Sequence, residues 1–393
     1  MALPLSYSLR SLFARRLRTA LTVAVIALVV VATTLFLGLI SSLKRTLVTT
    51  GDSRNLIVMR KGSSNDGSSQ LTLQALQDIR FFQGIARDPV GEPLISPELV
   101  VQPFFWREDG GRENVLVRGV EPGQALALHE GVRISAGRMF QPSSGEAVVG
   151  VGAAGRYRGA QLGDELEFGR GRWKVVGLFE SGGSSFESEV WVDARELAND
   201  AKRPLPYSSF RLRVAPGADL DALARRIGDD PRHALEAQVE TEYYAKQAES
   251  ANALYWLVVG LAVLSGIGAA FGATNTLYAA VQARTAEIGT LRAIGFSRGS
   301  ILRSFLVESL VTAVLSFAIG GALAWALGLA VSRALGGIGF GAATFTTNVI
   351  QLRVGASDLA AALAFALAVG ELGGLAPARP AAQLRPNEAL RKA

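Results

Sequence analysis

Three stretches of this sequence run without a charged residue for far longer than a water-soluble fold requires: 19–43, 250–283 and 309–332. A bilayer's hydrocarbon core takes roughly 20 consecutive apolar residues per helix, so each stretch predicts a membrane-spanning helix. A fourth stretch, 359–376, is alanine-rich and has Glu371 inside it. The chain is 49% hydrophobic and only 19% charged, with a positive mean hydropathy, which points to several spans rather than a soluble domain.

The fourth stretch is read as a span because of the charges around it. Arg10, Arg15, Arg16 and Arg18 precede the first span; Arg284, Arg292, Arg298 and Arg303 lie between the second and third; Arg379, Arg385, Arg391 and Lys392 follow the fourth. Only Glu287 and Glu388 offset these twelve, so the clusters hold a surplus of ten and the rest of the chain sums to about −4 for a net charge of +6. Cytoplasmic loops carry the basic excess, which places all three clusters, and both termini, in the cytoplasm. Four spans satisfy that parity. The basic balance is thus a signal of topology, and no nucleic-acid partner is expected.

The predicted organisation is an α-helical membrane domain of four transmembrane helices with a large α+β extracytoplasmic domain inserted between helices one and two. Residues 1–19 form a basic amphipathic helix in the cytoplasmic membrane interface, with Leu5, Leu9, Leu12, Phe13 and Leu17 at helical spacing. Spans at 20–43, 251–282, 303–332 and 357–376 are separated by an external domain at 44–250, a cytoplasmic loop at 283–302 and an external loop at 333–356. A cytoplasmic tail at 377–393 follows. The apolar run at 20–43 is long for a signal peptide and lacks a small-x-small cleavage site, so it reads as an uncleaved anchor.

Within 44–250, strands are predicted at 55–59, 147–151, 165–168, 173–178, 190–192 and 210–214, and helices at 72–82 and 220–227. Segments 100–106 and 114–118 form a hairpin about Asp109, Gly110 and Gly111, and 165–168 pairs with 173–178 through Gly169–Gly171. Residues 233–250 are polar, nearly free of helix breakers and run into span two; with 41–49 they predict helical extensions out of the bilayer.

The loop at 283–302 carries the sharpest local pattern. If 283–294 is helical, Ile288 and Leu291 make a small apolar face, Glu287 and Arg292 project nearby, and Gly295 ends the helix. Arg284, Glu287, Ile288, Gly289, Leu291, Arg292, Ala293 and Gly295 resemble the R-x-x-E-I-G-x-L-R-A-x-G signature of FtsX-like permease domains, shared by MacB-type and LolC/LolE-type ABC transporter permeases. Asn275 and Glu308, the latter in F-L-x-E-x-L, also match family positions, as does the end of the chain from Pro377 to Arg391. Gly137-Arg138-Met139-Phe140, the run 146–150 and the run 175–178 are similar to the MacB-type periplasmic core, in which a split α+β subdomain carries a smaller insert.

The resemblance implies a permease subunit in the bacterial cytoplasmic (inner) membrane, acting with two copies of a cytoplasmic ABC ATPase and with a second permease, either identical or a paralogue. The helix at 283–294 would dock on the ATPase. A periplasmic adaptor or cargo protein and membrane lipids are further implied partners. No G-x-x-x-x-G-K-[ST] occurs, so the chain is expected to hold no cofactor, with ATP and Mg bound by a separate ATPase chain. Cysteine is absent and the only histidines, His129 and His233, form no H-E-x-x-H, so neither a metal site nor an enzyme is expected; no nucleophile elbow is read. Glu308 is expected to pair with a coupling-loop arginine such as Arg303 or with a neighbouring helix end, the alternative being an interfacial carboxylate that reaches water. Glu371 marks either a helix contact or a substrate or proton path, and the Gly268-x-x-x-Gly272 spacing permits close helix approach. The alternatives are an FtsX-like regulator of an external cell-wall hydrolase, with 104–106 or 181–186 as docking surfaces, and a membrane sensor without an ATPase.

Overall fold

A computed structural model describes residues 16–335, 338–341 and 347–383. Most of the predicted N-terminal amphipathic segment, and the tail residues Arg385, Glu388, Arg391 and Lys392, lie outside them. The chain divides into two compact units: Met1–Ser41, Ala253–Ala330 and Leu352–Ala393 form one, and Ser42–Asn252 with Val331–Gln351 form the other.

Taken in chain order, α1 (Arg16–Val48) is followed by β1 (Asn55–Arg60), α2 (Leu73–Ile79), β2 (Ile95–Val101), β3 (Phe104–Trp106), β4 (Arg112–Asn114), β5 (Val117–Val120) and α3 (Pro122–Leu128). Next come β6 (Arg133–Gly137), β7 (Glu146–Gly150), α4 (Val151–Ala154), β8 (Glu165–Phe168), β9 (Gly171–Glu180), β10 (Val190–Asp193), α5 (Ala194–Asp200), β11 (Ser209–Arg213), α6 (Leu220–Gly228) and β12 (Leu235–Val239). The chain closes with α7 (Glu240–Gln282), α8 (Thr285–Ala293), α9 (Arg298–Leu335), β13 (Ile338–Gly341), β14 (Thr347–Ile350) and α10 (Ala356–Gln383).

Among the described residues, α1, α7, α9 and α10 are each long and apolar enough to cross a membrane. Ile26, Val30, Ala269, Ala273, Ala362, Ala366 and Val369 make the buried centre of this helical unit. Small residues there let the helices approach closely: a Cβ on Gly320 of α9 would stand 2.7 Å from the Ala27 carbonyl of α1. Asp358 caps α10, accepting from the Gly355 amide at 2.8 Å and from Ser41 Oγ at 2.7 Å.

The second unit is built on one ten-stranded sheet in the order β12-β1-β11-β2-β5-β10-β7-β9-β6, with β8 added on β9. Strand β2 joins its two ends, pairing antiparallel with β11 from Ile95 opposite Leu212 to Glu98 opposite Ser209, and with β5 through Leu99, Val100 and Val101. One end packs α2 and α6 over Leu56, Val58, Ile79, Phe210, Leu212 and Ile227; the other buries Phe105, Tyr157, Phe168 and Trp173. Helices α2, α5 and α6 start on the side chains of Thr72, Asp193 and Asp219, each accepting from an amide of the first turn.

The three motif runs of this domain meet in space. Gly137 has φ +73, and a Cβ there would lie 2.3 Å from the Val176 carbonyl, while one on Gly177 would lie 2.2 Å from the Arg138 carbonyl. The β6–β9 pair therefore needs glycine on both sides. Arg138 Nη1 donates to Glu146 at 2.8 Å, and this hydrogen bond above all takes the Glu146 carboxyl down to about 2.

Several boundaries differ from expectation. Residues 235–239 are a strand paired with β1 rather than the start of the stalk helix, because Leu235 completes the core under β1 and α6. The segment 333–356, predicted as a loop, contains the antiparallel pair β13–β14. The helix that holds span four runs on past Ala376 through Pro377 and Pro380 to Gln383. The expected extension of span one is present: Leu43 and Leu47 of α1 pack with Ala248 and Ile350.

Candidate functional site

The loop after span two folds into α8 as its sequence pattern requires. Gly295, at φ +103, stops the helix, and Phe296 N donates to Leu291 O at 3.1 Å while Gly295 N donates to Arg292 O at 3.2 Å. That pair of bonds is a Schellman closure, which only a residue tolerant of positive φ permits. Ser297 then caps α9, its Oγ accepting from Ser300 N at 3.2 Å.

The face of α8 differs from expectation. Ile288, only 4% exposed, does not project outward but packs with Val281, Ile301, Phe305, Ala378, Ala381 and Ala382 of this same chain. Gly289 is buried beside it and Leu291 is half-buried. Glu287, Thr290, Ala293 and Ile294 face outward, with Ile294 63% exposed. Arg292 turns back on the helix end, Nη1 donating to the Phe296 carbonyl at 2.9 Å.

Arg284 is buried and holds α8 to span three, with Nη1 donating to Glu308 Oε2 at 3.2 Å. The coupling-loop arginine that pairs with Glu308 is Arg284, while Arg303 is exposed. Beside the pair lies a cavity of about 40 Å³ lined by Thr19, Thr22, Thr276, Ser309 and Thr312. Since a water needs roughly 10–15 Å³, the cavity has room for two or three beside the ion pair. Asn275 is on the exposed side of α7. Glu371 is half-buried and has no salt bridge among the described residues. Around Gly268 and Gly272 nothing lies within 4 Å of a would-be Cβ, so the tight packing falls elsewhere: on Gly370, Gly373 and Gly374 of α10.

The second functional feature has no counterpart in the sequence reading. The first turns of α7 enter a buried ionic cluster in the sheet unit. Arg211 of β11 donates through Nε to Glu240 at 2.8 Å, through Nη2 to Tyr244 Oη at 3.0 Å, and through Nη1 to Glu98. Arg118 of β5 forks onto Glu189, both bonds at 2.7 Å, and reaches Glu98 at 2.8 Å. Tyr243 Oη donates to Asp66 at 3.0 Å, and His129 Nε2 lies 2.9 Å from Glu98. All of these residues are buried. Burial pushes the Glu98 carboxyl up, but Arg211, His129 and Arg118 outweigh it and hold the group well below the usual carboxylate range. Burial, with Asp66 nearby, raises the Tyr243 hydroxyl well above its ordinary value.

Comparison with known proteins fits this division. A family model described as the MacB-like periplasmic core domain matches residues 19–230, more than half of the chain, and one described as the FtsX-like permease C-terminal matches 259–386. The chain belongs to the MacB/FtsX-type ABC transporter permeases. A macrolide export ATP-binding/permease protein MacB of Shewanella oneidensis is 26% identical over 59% of this chain and 35% of its own length. Its namesake from Bordetella avium is 24% identical over 98% of this chain and 59% of that protein. An uncharacterized ABC transporter permease of Methanocaldococcus jannaschii is 27% identical over 66% of each. The chain thus spans between about a third and two thirds of these relatives' lengths. The periplasmic region of MacB from Actinobacillus actinomycetemcomitans overlays on 51% of the chain and 94% of that structure at a TM-score of 0.38 and 10% identity, too loosely to place any residue.

Two expectations need correction. Residues 295–299 do spell G-x-S-x-G, the spacing of a hydrolase nucleophile elbow. Here Ser297 sits between two helices as a cap rather than on a strand-to-helix turn. In the 181–186 segment Phe186 is buried against His129, Trp191 and Tyr244, so it offers no docking surface. Phe104 and Trp106 are 57% and 52% exposed, with the Arg112 guanidinium 5.0 and 4.9 Å from their ring centroids.

Proposed function

We propose that the chain is the permease subunit of an ATP-driven transporter that turns the motion of a cytoplasmic ABC ATPase into work by its α+β domain on an envelope cargo. The observation that carries this reading is α8: a short helix with a glycine stop, buried on one face and locked to span three by Arg284–Glu308, with Glu287, Thr290 and Ile294 left outward. Such a helix is a lever. Pressure on its outer face reaches α7 on one side and α9 on the other. Helix α7 is continuous from Glu240 to Gln282, which gives the motion an unbroken element to travel along. ATP and Mg are bound by the partner ATPase, and the sequence of 393 residues contains no phosphate loop to compete for that role. In this account the α8 cluster lies in the cytoplasm and the sheet unit on the external face of the cytoplasmic membrane, a placement that the basic clusters support.

Exposed Phe104 and Trp106 favour a second reading, in which the same motion actuates an external protein and nothing is transported. Both readings share the first step, which co-purification tests. A cognate ABC ATPase is expected to bind the wild-type permease and to be lost from a Thr290→Asp, Ile294→Asp variant that keeps its thermal midpoint. Retention of the ATPase by that variant removes α8 as the docking element, and a wild type that binds no ATPase favours a sensor.

A further inference from the structure

Span four contains two prolines where a helix should not tolerate them. Pro377 and Pro380 lie inside α10, which continues to Gln383. A proline lacks the amide that would donate to the carbonyl four residues earlier, and its ring pushes that carbonyl away. Pro377 therefore strips the Gly373 carbonyl of its helical donor, and Pro380 strips the Ala376 carbonyl. In a membrane such a bare carbonyl must find another donor.

Both find one on span two. Thr274 Oγ1 donates to Gly373 O at 2.9 Å, and Tyr278 Oη donates to Ala376 O at 3.2 Å. The donors stand one helical turn apart on α7, facing acceptors freed by prolines three residues apart on α10. The approach depends on small residues: a Cβ at Gly373 would stand 2.8 Å from Ala273 Cβ and 3.0 Å from the Ala270 carbonyl. A larger side chain at 373 would hold Thr274 out of reach.

We propose that Thr274 and Tyr278 are positioning residues that replace the two proline-deleted hydrogen bonds, fixing the register of span four on span two so that the two helices move as one body. The prolines and the hydroxyls form a matched set. Without the prolines the hydroxyls are redundant, and without the hydroxyls two carbonyls are left without a donor next to Ala378, Ala381 and Ala382, the floor on which Ile288 rests. The effect on work output rests on the coupling role proposed above; the stitch itself does not.

The test is a pair of mutant cycles on the full-length chain purified in detergent, read by thermal midpoint. Thr274→Val is expected to lower the midpoint by about 2–4 °C, as an unsatisfied buried acceptor should. In a Pro377→Ala background, where residue 377 regains its amide, Thr274→Val is expected to have no effect, and Thr274→Ser is expected to behave as wild type. Tyr278→Phe and Pro380→Ala are expected to show the same dependence. Equal losses with and without the prolines overturn the proposal, as does a Thr274→Val variant indistinguishable from wild type. In the permease–ATPase complex, Thr274→Val with Tyr278→Phe is expected to reduce permease-dependent stimulation of ATP turnover while leaving ATPase binding intact, with recovery in the Pro377→Ala, Pro380→Ala background. If wild type gives no stimulation, the coupling reading fails, and the midpoint cycles still decide the stitch.

Discussion

Replacing Arg211 by methionine removes a guanidinium that holds Glu98, Glu240 and Tyr244 at once, all of them buried. The cluster sets two guanidiniums, Arg118 and Arg211, against the four carboxylates Asp66, Glu98, Glu189 and Glu240. After the substitution Glu98 keeps Arg118 and His129, but Glu240 keeps only neutral donors, Asn55 Nδ2 at 3.0 Å and the Asp52 amide at 3.2 Å. Removing one partner of a buried ion pair costs about 3–5 kcal/mol, because the charge left behind cannot be hydrated. At about 2–4 °C per kcal/mol for a domain of this size, the midpoint of the sheet unit falls by roughly 6–20 °C. The readout is intrinsic fluorescence during heating, since Trp191 Nε1 donates to Glu189 inside the cluster. Adding Glu240→Gln removes the stranded charge and is expected to restore part of the loss. Arg211→Lys is expected to fall between, since one ammonium cannot reproduce the fork. A midpoint change under about 2 °C for Arg211→Met, or strict additivity with Glu240→Gln, would refute the claim that the cluster binds the first turns of α7 to the sheet.

Three further outcomes follow from the geometry. The folded Glu98 carboxyl is held below its ordinary range, so its contribution is complete above about pH 4.3, declines below that, and is gone once pH has fallen through the lower folded value. Tyr243 and Tyr244 are raised, so theirs is complete below about pH 10 and is lost above it; a pH series of unfolding midpoints should show a plateau between those limits. Gly374→Ala would set a Cβ 1.9 Å from Ser309 Oγ and is expected to cost about 1–3 kcal/mol by midpoint shift, whereas Gly268→Ala meets nothing within 4 Å and should be tolerated. Glu308→Ala leaves buried Arg284 with the looser, exposed Glu287 carboxylate at 4.0 Å and is expected to lower the midpoint, while Glu371→Ala breaks no salt bridge among the described residues and should change stability by about 0.5 kcal/mol or less.

What the sequence disclosed and what it concealed divide along physical lines. The spans and α8 were legible because charge-free runs, flanking arginines and the Gly295 stop are local signals. Strand β12 was misread as helix because Leu235 to Val239 lacks any breaker, and only pairing with β1 makes it extended. The continuation of this helix past Ala376 is hidden in the sequence, since prolines remove helical hydrogen bonds and the hydroxyls that replace them lie on another helix. The spacing of Ile288 and Leu291 gives an apolar stripe on α8 but not its direction, which the packing of Ile288 on Ala378, Ala381 and Ala382 supplies. The buried cluster was invisible for a related reason. Arg211 and Glu98 sit in strands where a charge ordinarily signals the wet face, and their partners come from segments far apart in sequence.

The central claim is that ATPase action at α8 moves the sheet unit through α7. The chain contains no cysteine, so Arg225→Cys on the exposed side of α6 and Arg298→Cys at the exposed start of α9 give a clean spin-label pair. Measured by electron–electron distance spectroscopy in the reconstituted permease–ATPase complex, the distance distribution is predicted to shift when ATP and Mg are added, and to stop shifting when two glycines are inserted into α7 after Asn252. A distribution unchanged by ATP in the uninterrupted helix would contradict the account.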